Sequence, residues 1–370
     1  MFAYIQKLKQ LDILLLCSVV GISFFSIAAL YSIGLGRDPQ TFEYLIHQSV
    51  ILGIGLLAAL GIALVNYRVY RNVSIPLYIC SVLLLLGVLM FGEKIRGTRG
   101  WFFLGSIGVQ PAEIAKIALI MMLAWYFSSW TRQVGRLRHI LVSGACMAVP
   151  FLLILAQPDF GSAVILFIIW AVAIGMSGIP KRYVISLGLI LVVLFSSAWL
   201  FFFADYQKER IATFIFPAAD IQGSGYNVRQ ARIAIGAGQL FGTGIGAGSQ
   251  SQLKFLPETQ TDFVYSVIAE ELGFVGVFFL LLFWCIFFYR AYALLKNATD
   301  DFSAFIILGG VSMIFSEVAI NIGGNLGLVP LTGIALPLIS YGGSSLFVTL
   351  LAFGLLQSIS IHRTVHTPQG

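Results

Sequence analysis

The 370-residue sequence predicts an all-α polytopic membrane protein with about ten transmembrane helices. One large extracytoplasmic loop with short interfacial helices completes that expectation. Three observations carry it. Hydrophobic residues make up 59% of the chain and charged residues 10%, against roughly half and roughly a quarter in soluble domains, and the mean hydropathy is +0.94. Ten apolar stretches approach the length of about 20 residues that crosses a bilayer. Basic residues are shared unevenly among the segments that join them.

In chain order the predicted spans are 12–32, 43–65, 74–91, 112–129, 139–156, 161–178, 183–203, 263–291, 303–325 and 335–360. The first follows Lys7 and Lys9, as a signal peptide would. Its apolar run is too long and has no clear small-residue cleavage site, so it reads as a retained anchor. Ten spans put both termini on one side. With that side inside, the inner segments hold twelve basic residues: Lys7, Lys9, Arg68, Arg71, Arg132, Arg136, Arg138, Lys181, Arg182, Arg290, Lys296 and Arg363. The short outer segments hold four, and five more lie in the long loop, where the charge rule counts little. Both termini are therefore expected in the cytoplasm. The loop 204–262 faces outward, and 1–370 forms a single integral membrane domain.

Composition also narrows the function classes. The net charge of +6 is explained by topology and lipid phosphates, so no nucleic-acid partner is expected. Cys17, Cys80, Cys146 and Cys285 all lie inside apolar runs, which argues against a disulfide framework or a cysteine zinc site. None of the four histidines lies in the long loop, so a histidine base there is excluded.

The loop itself is not a plain linker. Residues 206–216 mix Lys208, Glu209 and Arg210 with Ile211, Phe214, Ile215 and Phe216, a pattern suited to an interfacial helix. In 226–235, Arg229 and Arg232 stand three apart on one helical face. The stretch Gly236-Ala-Gly-Gln-Leu-Phe-Gly-Thr-Gly-Ile-Gly-Ala-Gly248 follows no predicted strand and precedes no Gly-Lys-Ser/Thr. It therefore reads as flexible or close-packed backbone rather than a phosphate cradle. The loop ends at Asp262, just before an apolar helix. Asp262 suits a helix N-cap and equally a base acting on a sugar hydroxyl.

Charged residues inside spans need partners. Glu113 and Lys116 follow Gln110-Pro111-Ala112 at the outer end of the fourth span. Pro and Glu there are ordinary helix-start chemistry. A lone ammonium in a span costs several kcal/mol on the order of the insertion scales, so Lys116 needs a partner or a wet cavity; Glu113 at i−3 can supply the partner, and Asp159 in the next outward turn is within reach too. The group is a structural ion pair or a substrate-facing cluster. At least one of Glu270 and Glu271 should face the interior of the eighth span. Glu317, Asn321 and Asn325 repeat every four residues along one face of the ninth span, as interhelical hydrogen-bonding glue or as a polar pathway. The segment 325–345 carries two prolines and four internal glycines, and irregular backbone at a membrane must be buried or wet.

These stretches together resemble the SEDS family (shape, elongation, division and sporulation), whose members include RodA, FtsW and SpoVE. The resemblance rests on Gln110-Pro-Ala-Glu-Ile-Ala-Lys116, Ala156-Gln-Pro-Asp-Phe-Gly161, Leu256-Pro-Glu-Thr-Gln-Thr-Asp-Phe263, Glu270-Glu-Leu-Gly273 and Leu338-Ile-Ser-Tyr-Gly-Gly-Ser-Ser345. Ala156-Gln-Pro-Asp159 and Ser249-Gln-Ser-Gln-Leu253 are similar to the RodA versions. Two departures stand out: Gly100 precedes Trp101 where RodA-like chains often carry Arg, and Ala112 replaces a frequent Ser. The resemblance implies a glycosyltransferase that polymerises lipid II outside the bacterial cytoplasmic membrane for cell elongation and shape. It implies a class B penicillin-binding protein as partner and membrane lipids as surroundings. It makes Asp262 the catalytic carboxylate and puts Glu113, Lys116 and Asp159 in a polar cavity. Lys116, Arg210, Arg229, Arg232 and Lys254 are then the candidates for neutralising the leaving pyrophosphate, and a divalent cation (Mg²⁺ or Mn²⁺) is another source of that charge. The rival reading is a lipid-precursor flippase, which also needs many spans, buried charge pairs and a broken helix.

Overall fold

The computed structural model describes residues 10–363 apart from 38, 96, 105–106, 131–136, 179, 181, 184–187, 189–223 and 254. Nearly all of the predicted seventh span, the interfacial helix at 206–216, Arg210 and Lys254 lie outside the described residues. The other nine spans are all helices. They are α1 (Ile13–Leu35), α2 (Glu43–Leu64), α3 (Tyr67–Phe91), α4 (Pro111–Trp130), α5 (Leu137–Ala156), α6 (Phe160–Met176), α9 (Val264–Lys296), α10 (Asp301–Leu326) and α11 (Gly343–His362). Two helices of the outer loop complete the described set, α7 (Ser224–Ala237) and α8 (Ser249–Gln252). Among the described residues, eight helices are long and apolar enough to cross a membrane, with the 17-residue α6 just short of that length. The chain is a multi-pass membrane protein.

Boundaries depart from the apolar runs where capping decides them. Helix α3 begins at Tyr67 because Asn66 accepts from the Arg68 amide at 3.0 Å. Helix α11 begins at Gly343, and 327–342 is non-helical. A feature absent from the predicted all-helical plan lies between α3 and α4. Strands β1 (Glu93–Ile95), β2 (Thr98–Leu104) and β3 (Ile107–Val109) form an antiparallel sheet in the order β1-β2-β3. Its signal was local: Gly97 turns the chain with φ 87°, and aromatic residues of high strand preference follow at Trp101, Phe102 and Phe103.

Helices α4 and α11 are the most enclosed spans, whereas α2 and α3 expose most of their surface to the surroundings. Helix α11 lies along α2, α1 along α9, and α10 against both α4 and α6. Small residues permit the closest approach: a Cβ on Gly354 would stand 2.7 Å from the Ala59 carbonyl oxygen. Such close backbone contact is how helices gain packing energy in lipid.

Helix α9 is 33 residues long, about 50 Å at 1.5 Å per residue, which exceeds the roughly 30 Å hydrocarbon layer. It is broken at Gly273, where φ is 63° and ψ −164°, a backbone region open essentially to glycine alone. The glycine-rich stretch fills the break. The Thr243 and Gly244 amides donate to the Glu270 and Glu271 carbonyls, both at 3.0 Å. In return, the Phe274 and Val275 amides donate to the Gln239 and Leu240 carbonyls at 2.8 and 3.0 Å. So the stretch is close-packed backbone. Glu270 and Glu271 are both buried: Glu270 accepts from the Gln250 and Ser251 amides, and Glu271 from Ser32 and Gln252.

Candidate active site

A cavity of about 470 Å³ opens between the first turns of α2 and α4, Glu317 of α10, the sheet, the turn before α6, the residues 260–262 and the segment before α11. Four sequence-predicted residues meet in its wall: Glu113, Lys116, Asp159 and Asp262.

Pro111 starts α4 and sets Glu113 in its first turn. One helical turn on, the Lys116 ammonium donates to Glu113 Oε1 at 2.7 Å and to Glu317 Oε1 of α10 at 2.6 Å. All three residues are at most 7% exposed. The second partner differs from the expected one. Asp159 instead caps α6, accepting from the Ser162 amide at 3.0 Å and its hydroxyl at 2.8 Å, and from Gln110 Nε2 at 3.2 Å. Asp159 belongs to the cavity wall and not to the lysine cluster. The other Glu317 oxygen, Oε2, is buried without a hydrogen-bond partner.

Asp262 is not the N-cap that its position before a helix suggested. Phe263 occupies that position, with no side-chain cap, and Asp262 stands one residue earlier. Its peptide is pinned on both sides. The amide donates to the Glu258 carbonyl at 3.2 Å, and the carbonyl accepts from Asn325 Nδ2 at 2.9 Å and Asn321 Nδ2 at 3.3 Å. The non-helical segment holds the preceding residues. Ser340 Oγ donates to the Thr261 carbonyl at 2.5 Å, and the Tyr341 amide to the Gln260 carbonyl at 2.8 Å. The predicted polar stripe on α10 thus divides its work: Glu317 neutralises Lys116, while Asn321 and Asn325 carry the backbone of Asp262.

Three lining groups escaped the sequence reading. Trp101, Phe103 and Gly108 come from the unforeseen sheet, whose end is tied down by Ser344 Oγ donating to the Gly108 carbonyl at 2.9 Å. Tyr44 and Tyr341 face each other with ring centroids 4.5 Å apart, and Arg37 stacks on Tyr44 at 4.1 Å. Burial, then Tyr44 and Glu43, push the Tyr341 phenol above its usual range. His47 also lines the cavity. The exclusion of histidine from the loop was correct in sequence but not in space, because α2 supplies one.

Arg229 and Arg232 sit exposed on α7 and are absent from the cavity wall. Among the described lining residues, four carboxylates therefore face one ammonium, Lys116. No group of three or more His, Cys, Asp or Glu side chains among the described residues is arranged to hold a metal ion. A divalent cation would have to take most of its ligands from phosphate oxygens and water, as Mg²⁺ commonly does. The arrangement offers a carboxylate on a pinned backbone beside a polar pocket with aromatic walls.

Residues 9–365 match the family of cell cycle proteins described as FtsW, RodA and SpoVE. The chain is 35% identical over 357 residues to the peptidoglycan glycosyltransferase MrdB of Escherichia coli K12, covering 96% of this chain and 94% of that one. It is similar to a solved chain described under structural coordination of polymerization and crosslinking by a peptidoglycan synthase complex. There the TM-score is 0.81 at 31% identity, over 96% of this chain and 99% of the other. The rod shape determining protein RodA of Thermus thermophilus superposes with a TM-score of 0.72 at 31% identity, over 95% and 97%.

Proposed function

Because the chain belongs to the SEDS (FtsW/RodA/SpoVE) family and is a peptidoglycan glycosyltransferase, we propose that it polymerises lipid II into β-1,4 glycan at the outer face of the bacterial cytoplasmic membrane. Both termini then lie in the cytoplasm, as the basic residues of the short segments favour. The observation that carries the proposal is one cavity wall shared by Asp262, the Glu113–Lys116–Glu317 cluster and Asp159.

Asp262 accepts the proton of the 4-hydroxyl of an acceptor GlcNAc. The freed oxygen attacks the anomeric carbon of a MurNAc joined to undecaprenyl pyrophosphate, and the carbon–phosphate-oxygen bond breaks. An α-linked donor becoming a β bond requires one inverting displacement without a covalent enzyme intermediate. The departing pyrophosphate gathers negative charge beside a described wall rich in carboxylates; Lys116, Arg210, Arg229, Arg232 and Lys254 are the candidates for meeting it, and a divalent cation would share the task. Chelation with EDTA should stop polymerisation and added Mg²⁺ or Mn²⁺ should restore it; full activity in EDTA removes the metal from the account. The similarity to a chain of a peptidoglycan synthase complex that couples polymerization and crosslinking supports a class B penicillin-binding protein as partner, and the likeness to a rod shape determining protein supports a role in cell elongation and shape.

The discriminating experiment adds lipid II to the purified protein in detergent. Glycan polymer is the expected product, because an enzyme needs no compartment. Binding of lipid II by folded, metal-supplied and partner-supplied protein with no polymer formed would favour a flippase instead.

A further inference from the structure

The two asparagines beneath Asp262 form an assembly that the mechanism has not used. Asn321 and Asn325 are 5% and 0% exposed and lie on one face of α10, and both amide nitrogens converge on the Asp262 carbonyl. Neither amide is free to turn. Asn325 Oδ1 accepts from the buried Ser266 hydroxyl of α9 at 2.7 Å, which forces its nitrogen toward Asp262. The same nitrogen also donates to the Asn321 carbonyl at 2.9 Å. Asn321 is fixed by donating to the Ile334 carbonyl at 2.9 Å, in the segment that forms the far wall of the cavity. Three elements, α9, α10 and the segment before α11, therefore meet at one peptide group.

We propose that Asn325, oriented by Ser266, and Asn321 are positioning residues that set the carboxylate of Asp262 for proton abstraction; this rests on Asp262 being the base. The physical reason is leverage. A buried carboxamide pair gives up hydrogen bonds with water and must be repaid in full, yet apolar residues would pack α9 against α10 without that demand. What the pair adds is a fixed direction for the peptide that bears the carboxylate. A general base works only within about 2.6–3.2 Å of the proton it removes, and a displacement of about 1 Å costs on the order of a hundredfold in rate.

The test replaces both partners of the buttress at once, Ser266→Ala with Asn325→Leu, so that neither partner's polar group is left behind, and Asn321 Oδ1 loses only its long 3.4 Å contact from Asn325. The Asp262 carbonyl then loses its 2.9 Å bond from Asn325 and keeps the longer one from Asn321. Turnover with lipid II should fall at least about fivefold with KM changed by less than about twofold, and thermal stability in detergent should stay near wild type. In an Asp262→Asn background the same pair of changes should lower the residual turnover by less than about twofold, since the positioned group is already gone. Unchanged turnover, or an equal loss in both backgrounds, would overturn the proposal. If the paired variant does not fold, Ser266→Ala alone decides: lower turnover at constant KM supports the positioning role and wild-type turnover ends it. Asp262→Asn measured by itself separates the two claims. A wild-type rate there removes the base assignment and the positioning role with it, whereas failure of the asparagines alone leaves the base in place.

Discussion

Lys116 Nζ and Glu317 Oε1 stand 2.6 Å apart across the α4–α10 interface, their side chains 3% and 2% exposed. With Glu113 on the other side of the same nitrogen, two carboxylates share one ammonium inside the membrane region. Removing the cation leaves both acids buried. Lys116→Met should therefore destabilise the fold strongly, by about 3–5 kcal/mol on the scale of broken buried pairs. Glu317→Gln keeps an oxygen acceptor and leaves the Lys116–Glu113 pair intact, so it should cost much less. Thermal unfolding of both variants in detergent measures the contrast. Equal losses would mean that Glu317 is as necessary to the fold as the lysine.

His47 is the rival base, since it lines the same cavity. His47→Asn should retain turnover within about tenfold, less than the loss of a general base typically brings, and should leave the pH profile unchanged. Collapse of the rate by about a hundredfold or more in a well-folded variant would transfer the base role to His47.

At Gly273 the expectation is structural. A Cβ there would meet the Gly238 carbonyl oxygen at 2.8 Å, and the backbone conformation itself costs a non-glycine residue on the order of 1–3 kcal/mol. Gly273→Ala should expel the 238–244 backbone from the break in α9. Thermal stability should drop, and the loop should become newly open to protease. An unchanged melting temperature and digestion pattern would show that the break does not hold the loop.

The sequence made the helical frame legible because spanning a bilayer demands length and apolarity, and eight of the described helices meet that demand, with α6 just short of it. The sheet at 93–109 was hidden because counting apolar runs does not detect strands of three and seven residues. At the site, Lys116 announced itself by the energy a buried ammonium costs, but Glu317 as its second partner did not, lying 201 positions away. The spacing of Asn321 and Asn325 was visible and its purpose was not, because what they hold is a backbone carbonyl, which has no signature in composition. His47 was passed over for the same reason of distance in sequence.

The central claim is that Asp262 performs chemistry. It lines the cavity and is not the helix cap, so exchanging its carboxylate for an amide of nearly the same shape should leave the fold intact. Base catalysis typically contributes about 10²–10⁴-fold, or roughly 3–5 kcal/mol at about 1.4 kcal/mol per tenfold. The decisive measurement is glycan synthesis from lipid II by purified Asp262→Asn. Near-normal thermal stability and lipid II binding, with polymerisation reduced at least about a hundredfold, is the predicted result. Substantial polymer from the well-folded variant would contradict the account and send the search for the base to Glu113, Asp159 and His47.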